Sequence, residues 1–248
     1  MRRSEERILT THTGSLPRPP ELTRLYVRRA RGESVDAAEL ENLGRAALRR
    51  IVRKQADAGV DIGNNGEQQR EGFFLHIRHR MSGFGGSWQR RTRADALRYP
   101  VFKQMMEQQL AAREAVSNMG PPKAIGEVRY LGPAAIEAEC ADFQGALAET
   151  GTHFVEPFLT APSPGIIAGA MKNEYYDSEE AYLAALATGA ARGIRDDRTA
   201  RVSAATRLPG SRPRNVICRI RTAPRASSSD LSSGCRGDQH STRKHSAR

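Results

Sequence analysis

The sequence predicts an α/β fold built from parallel βα units. Segments whose apolar residues recur at helical spacing alternate with short apolar runs typical of buried strands. Glycine-bearing polar loops follow these runs, as they do at the carboxyl ends of parallel strands. The length of 248 residues is enough for one large domain.

Two helices are predicted near the amino terminus. The first begins at Pro19, because proline suits a first helical turn, and it ends at Gly32. The second is capped by Asp36, with Glu39 three residues later, and Gly59 ends it. Its apolar positions have helical spacing: Leu40, Leu43, Ala47, Ile51 and Val52.

Strands and helices are predicted to alternate after Gly59. A short buried strand covers 60–62 and leads into the polar loop 63–67. Further elements are predicted in this order: a helix over 99–118, a strand over 124–128, a helix over 133–149, a strand over 153–159 and a helix over 178–186. Ser178 is the expected cap of the last helix.

The charge is concentrated in the last part of the chain. The net charge is +11, and residues 188–248 contain fourteen Lys or Arg against four Asp or Glu. These residues include no Phe, Tyr or Trp and only seven Val, Ile or Leu, so disorder is predicted for them. Two explanations stand for this segment: a basic arm, or translation out of frame in a GC-rich gene, which the 34 Arg against 5 Lys favour. The predicted domains are therefore 1–187, folded, and 188–248, a disordered Arg-rich tail of out-of-frame origin.

Composition also sets the expected compartment. Three cysteines without close pairing suit a reducing environment, and no window of about 18 uncharged apolar residues exists. A cytoplasmic location without a membrane partner is expected.

Two polar segments have the residues of a small-molecule site. Segment 10–19 offers hydroxyls, an imidazole and Arg18, whose guanidinium can pair with a carboxylate, around the flexible Gly14. Segment 61–73 follows a predicted strand, where a barrel carries its site, and its Glu67 can accept hydrogen bonds from a ligand ammonium. The alternative for Glu67 is a solvated surface pair with Arg70.

Together with segments 80–86, 160–165 and 173–176, these two segments resemble the short relatives of cobalamin-independent methionine synthase, over roughly 8–186. The resemblance implies a (β/α)8 TIM barrel, incomplete in this chain, and a small-molecule substrate, the thiol of homocysteine. It implies transfer of a methyl group from methyltetrahydrofolate or a related donor to give methionine. It also implies zinc, which holds the substrate sulfur as a thiolate.

The resemblance suggests substrate contacts but no catalytic residue. It implies that Thr13, Ser15 and Glu67 hold the amino-acid end of the substrate, with His12 and Asn65 beside them. Asn65 departs from the family pattern, which has aspartate there, so any contact that needs an anion at this position is in doubt.

The zinc ligands of the family are a His-x-Cys pair, a glutamate and a distant cysteine, and this sequence has no His-x-Cys pair. Cys140 is expected in the core, and the spacing of Cys235, His240 and His245 matches no zinc pattern. No metal ligand is therefore assigned, and the chain is expected to be inactive as given.

Alternative functions remain from other classes. A nucleic-acid-binding protein that uses the basic tail has charge as its only support, and nucleic acid is not the expected partner. A different reaction on a uroporphyrinogen decarboxylase-like barrel is the other alternative. His76 and His79 are expected to be solvated, with Phe73, Phe74 and Ile77 on the buried side.

Overall fold

A computed structural model describes residues 4–89, 97–111, 120–195 and 216–219. Six helices occur in these ranges: α1 (Pro20–Ala30), α2 (Ala37–Asp57), α3 (Pro100–Ala111), α4 (Ala134–Thr150), α5 (Pro164–Ala170) and α6 (Glu179–Arg195). A 3₁₀ helix covers Leu75–His79. The strands are β1 (Phe84–Gly85), β2 (Lys123–Ala124), β3 (Phe158–Ala161) and β4 (Val216–Arg219).

The helix ends follow the predicted capping chemistry. The Asp36 carboxylate accepts a hydrogen bond from the Ala38 amide at 2.9 Å, which satisfies one open donor of α2. Gly59, with φ +72°, follows the end of this helix, and Gly151, with φ +64°, ends α4. The two predictions for these helices are confirmed.

Three extended segments lie side by side in parallel and define the fold. The Ile62 amide donates to the Thr10 carbonyl at 3.0 Å, and the Phe158 amide donates to the Gly63 carbonyl at 3.0 Å. The bridges between Thr11 and Ile62 and between Asn64 and Phe158 are both parallel. Helices α1 and α2 join the first two segments, and α4 precedes the third, so the fold is α/β. A closed barrel is not visible in the ranges that the structure describes.

The predicted strand over 124–128 is wrong beyond its first residue. Only Lys123–Ala124 forms a strand, and it pairs antiparallel with Phe84–Gly85. The amides of Ile125 and Gly126 both donate to the Gly83 carbonyl, at 2.8 and 3.2 Å, which turns the chain out of a regular ladder. In the predicted helix 99–118, α3 accounts for Pro100–Ala111, and residues 112–119 lie outside the described ranges.

Helix α6 continues past the predicted boundary at Ala187 and ends at Arg195. Its later turns are rich in alanine, the strongest helix former, and Ala190 packs against the core. Strand β4 also lies in the predicted tail and pairs antiparallel with β3, with Phe158 opposite Arg219. The disorder predicted for the rest of the tail concerns residues outside the described ranges.

The core lies mainly between the helices and the parallel segments. One cluster joins α2, α4 and β3 through these buried residues: Leu48, Ile51, Val52, Cys140, Phe143, Leu147 and Leu159. Cys140 is 2 % exposed, which confirms its predicted place in the core. A second cluster joins Ile167, Met171, Tyr182 and Leu186, and α1 packs on α2 through a third.

None of the helices in the described ranges has the length and apolar character needed to cross a membrane.

Candidate functional site

The loop after the second parallel segment has two consecutive residues in the left-handed region. Gly66 has φ +58° and Glu67 has φ +56°. The Asn64 side-chain oxygen accepts from the Gly66 amide at 2.8 Å, and the Asn65 side-chain oxygen accepts from the Glu67 amide at 3.0 Å. The two asparagines thereby stabilise a backbone conformation that a glutamate rarely adopts.

This loop directs the Glu67 side chain into the protein, where it is 1 % exposed. Ser15 Oγ donates to Glu67 Oε2, and Thr160 Oγ1 donates to Oε1 at 2.8 Å. Each of the three residues follows or ends one of the three parallel segments. We call Ser15, Glu67 and Thr160 the Glu67 cluster. The side chains therefore meet at one edge of the sheet, where parallel α/β folds carry their sites.

The opening segment contributes further contacts. The guanidinium of Arg18 donates to the Glu67 carbonyl at 2.9 Å, and the Leu16 amide donates to the Gly66 carbonyl at 3.0 Å. Burial lowers the pKa of Arg18, because the interior disfavours the charged form. Arg18 therefore contacts the loop backbone and not a side-chain carboxylate.

A second buried group lies next to the Glu67 cluster. Glu139 of α4 is 5 % exposed, and its Oε1 accepts from Asn65 Nδ2 at 2.6 Å and from Arg70 Nε at 2.7 Å. Arg80 donates to Oε2. We call Asn65, Arg70, Arg80 and Glu139 the Glu139 cluster. Burial alone would raise the pKa of Glu139, but the charges of Arg70 and Arg80 hold it well below its usual range.

The two clusters share one hydroxyl group. Arg70 Nη1 donates to the Thr160 carbonyl at 2.7 Å and to Thr160 Oγ1 at 3.1 Å. Since a guanidinium group can only donate, the Thr160 hydroxyl accepts a hydrogen bond from Arg70 and donates a hydrogen bond to Glu67. The polar groups are thus connected from α4 to the Glu67 carboxylate.

The predicted contact residues are only partly brought together. The Ser15 hydroxyl donates to the Glu67 carboxylate, and the Asn65 side-chain oxygen accepts from the backbone amide of Glu67. The His12 carbonyl accepts from Asn64 Nδ2 at 2.5 Å, while His12 Nε2 is buried and has no hydrogen-bond partner in the part of the chain that the structure describes. Thr13 is exposed.

The alternative of a solvated Glu67–Arg70 surface pair is wrong. Arg70 is 2 % exposed and pairs with Glu139, which no prediction included. A signal for Glu139 exists in the sequence, because it occupies a helical spacing of three and four residues from Ile136 and Phe143, on the side that faces the core. An acid at such a position needs buried cationic partners.

The histidine prediction is also wrong for His76, which is 6 % exposed. Its Nδ1 lies 3.2 Å from the Gly72 carbonyl, and burial, together with the charges of Arg70 and Arg80, lowers its pKa well below the usual value. The 3₁₀ helix buries Leu75, His76 and Ile77 together, so the polar side chain enters the core with its apolar neighbours. His79 instead contacts Glu71 and is about half exposed.

The segment 160–165 borders an apolar cavity of about 240 Å³. Pro162 and Pro164 line it with Ile77, Met81 and Ile167, and Arg80 of the Glu139 cluster reaches its wall. No group of three or more His, Cys, Asp or Glu side chains suited to a metal ion occurs among the described residues. The donors on the described part of the chain therefore do not fit a zinc ion.

A solved structure shares part of this architecture. The B12-independent methionine synthase from Shewanella sp. W3-18-1, in complex with selenomethionine, aligns with 75 % of this chain and 47 % of its own, at a TM-score of 0.52 and 19 % identity. The chain shares the fold of about half of a methionine synthase. The putative vitamin-B12 independent methionine synthase from Listeria monocytogenes aligns with 76 % of this chain and 49 % of its own, at a TM-score of 0.47 and 18 % identity.

The chain spans about half the length of these structures. No protein-family model matches the sequence, and no curated protein matches it.

Proposed function

We propose that the Glu67 cluster binds the amino-acid end of homocysteine or methionine, as part of a methionine synthase-like methyltransferase. The observation that carries this proposal is the buried Glu67 carboxylate, which side chains from two other parallel segments contact. The fold shared with a synthase that was solved with selenomethionine, a methionine analogue, supports the same ligand class.

The carboxylate keeps acceptor capacity for a ligand. Two oxygens have about four lone-pair directions, and the hydroxyls of Ser15 and Thr160 use two of them. A ligand ammonium takes the others and gains a charge-assisted hydrogen bond in a site shielded from water. Ser15 is exposed and Glu67 is buried, so in the proposed complex the Ser15 hydroxyl rotates away from Glu67 and donates to the ligand carboxylate.

Three further residues complete the proposed contacts. Thr13 lies beside Ser15 at the surface and offers a second hydroxyl to the ligand carboxylate. His12 Nε2, which has no hydrogen-bond partner among the described residues, offers another polar contact, and the Asn65 side chain acts through the Glu67 amide.

The larger proposal is that the parallel segments are the first strands of a (β/α)8 barrel in the cytoplasm, with methyltetrahydrofolate or a related compound as methyl donor. In the family that the sequence resembles, zinc supplies a thiolate from homocysteine. The described residues do not fit this ion, so the proposal for this chain includes binding and orientation of the amino acid and no methyl-transfer step.

Calorimetric titration of the 248-residue chain with L-methionine and L-homocysteine tests the proposal. We expect saturable binding, and a loss of about tenfold in affinity in Glu67→Gln, because the ligand ammonium loses its charged acceptor. Ser15→Ala is expected to weaken binding by a smaller factor. Circular dichroism of each variant checks that the fold is retained.

Glu41→Gln is the matched control, because Glu41 is an exposed acid on α2 with a single ion pair to Arg45. Its affinity should equal that of the wild type. The proposal is wrong if the wild-type chain shows no heat of binding, or if a folded Glu67→Gln variant binds as tightly as the control.

A further inference from the structure

Glu139 has no direct contact with the ligand surface of Ser15 and Glu67, yet two routes connect it to Glu67. The first passes through Asn65, whose Nδ2 donates to Glu139 at 2.6 Å while its Oδ1 accepts from the Glu67 amide at 3.0 Å. The second passes through Arg70, whose Nε donates to Glu139 at 2.7 Å while its Nη1 contacts Thr160. Glu139 therefore fixes both the backbone and the side-chain partner of Glu67.

Arg70 lies close to the Glu67 carboxylate. Arg70 and Glu67 both contact the hydroxyl of Thr160, at 3.1 and 2.8 Å, so the cation and the carboxylate are separated by a single oxygen atom. Arginine and carboxylate groups within reach of each other frequently pair through two parallel hydrogen bonds, so an acid that holds Arg70 elsewhere changes what Glu67 contacts. Glu139, assisted by the nearby Arg80, is that acid.

We propose that Glu139 is a positioning residue that keeps Arg70 from pairing with Glu67, so that the Glu67 carboxylate stays available to a ligand ammonium. The proposal rests on the proposed function for the identity of the ligand. The geometry on which it depends is independent of the proposed function: Arg70 and Arg80 both contact Glu139.

Three variants test the proposal. In Glu139→Gln, Arg70 loses its charged partner and is expected to turn to Glu67, so affinity for L-methionine should fall about tenfold. The double variant Glu139→Gln with Arg70→Gln removes the competing cation as well, and its affinity should return to within about threefold of the wild type. Asp142→Asn, an acid on the same helix that contacts Arg45 and Gln69, is the control and should bind as the wild type does.

A crystal structure of Glu139→Gln provides a readout that a merely structural role would not change. We expect the Arg70 guanidinium within about 3 Å of a Glu67 oxygen. The proposal is overturned if Arg70 keeps its contact with Thr160 and leaves Glu67 alone, or if the folded double variant binds as weakly as Glu139→Gln.

Two further outcomes have defined meanings. If Glu139→Gln does not fold, the double variant decides, because it removes the charges of Glu139 and Arg70 together, and only the partly exposed Arg80 loses its acid. If the wild type does not bind L-methionine, the proposed function fails. The position of Arg70 in the crystal structure of Glu139→Gln still tests the positioning role.

Discussion

The hydroxyl of Ser15 donates a hydrogen bond to Oε2 of Glu67, 52 residues further along the chain. Thr160 donates to the other oxygen from 93 residues away. Each oxygen of this carboxylate thus accepts a hydrogen bond from a neutral hydroxyl group.

Thr160→Val should destabilise the protein by about 1–3 kcal/mol. The valine has the same shape but neither donates to Glu67 nor accepts from Arg70, so two buried charged groups each lose a contact. Urea denaturation measures the difference. Thr188→Val, at an exposed position on α6 where the hydroxyl contacts only a helix carbonyl, is the control, and equal effects of the two changes would contradict the prediction.

Asn65→Asp should also destabilise, by about 2–3 kcal/mol at pH 7.5, although aspartate is usual at this position in the family. The new carboxylate cannot donate to Glu139 and meets a second negative charge. The deficit relative to the wild type should shrink between pH 7.5 and 5, because the new carboxyl takes up a proton in the folded state. Asn42→Asp, on the exposed face of α2, should show little effect at either pH.

His76 should make the protein less stable as the pH falls. Burial, followed by the charges of Arg70 and Arg80, lowers its pKa in the folded state well below 6.5, so the unfolded chain binds a proton that the folded chain does not. The free energy of unfolding should therefore fall by up to about 1.4 kcal/mol per pH unit as the pH drops below about 6.5. Denaturant titrations at several pH values between 7.5 and 5 measure this slope.

His76→Asn should remove most of that slope, whereas His153→Asn, at an exposed position, should keep it. Equal slopes in wild type and His76→Asn would show that another group is responsible.

Gly83→Ala should cost more stability than Gly59→Ala. Both glycines have positive φ, +84° and +72°, which costs about 1–2 kcal/mol for alanine. A Cβ at Gly83 would also lie 2.6 Å from the carbonyl oxygens of Gly126 and Glu127, whereas a Cβ at Gly59 meets nothing within 4 Å. The difference in unfolding free energy between the two variants, about 1–3 kcal/mol, therefore measures the backbone contact. Equal losses would show that the segment around Gly83 relaxes freely.

The sequence predicts the periodic features of this protein better than its buried polar contacts. Apolar spacing and capping chemistry locate α2 and α4, since these signals lie within each helix. The resemblance to the methionine synthase relatives implies Ser15 and Glu67 only as contacts of one substrate, and their hydrogen bond to each other is seen in the structure alone. Arg70 and Glu139 are 69 residues apart, and only the packing of α4 on the loop after the second parallel segment brings them together.

Contacts between distant parts of the chain also explain why the predicted strand over 124–128 and the predicted helix end at Ala187 are wrong. Residues 124–128 have the composition of a strand, but no described strand pairs with them beyond Ala124, where Ile125 and Gly126 bond to the Gly83 carbonyl and the chain turns. The end of α6 depends on alanine propensity and on the contact of Ala190 with the core, and a shift in overall composition does not reveal either.

The members of the Glu67 cluster lie far apart in the sequence, and this separation determines when the cluster can form. Its members come from residues 15, 67 and 160, so any proteolytic fragment that retains the cluster intact must contain the whole of 15–160. During synthesis, Thr160 can contact the Glu67 carboxylate only after the third parallel segment has left the ribosome. The cluster is therefore one of the late contacts of folding. Binding of an amino acid at Glu67 would thus report on completed folding of the entire sheet.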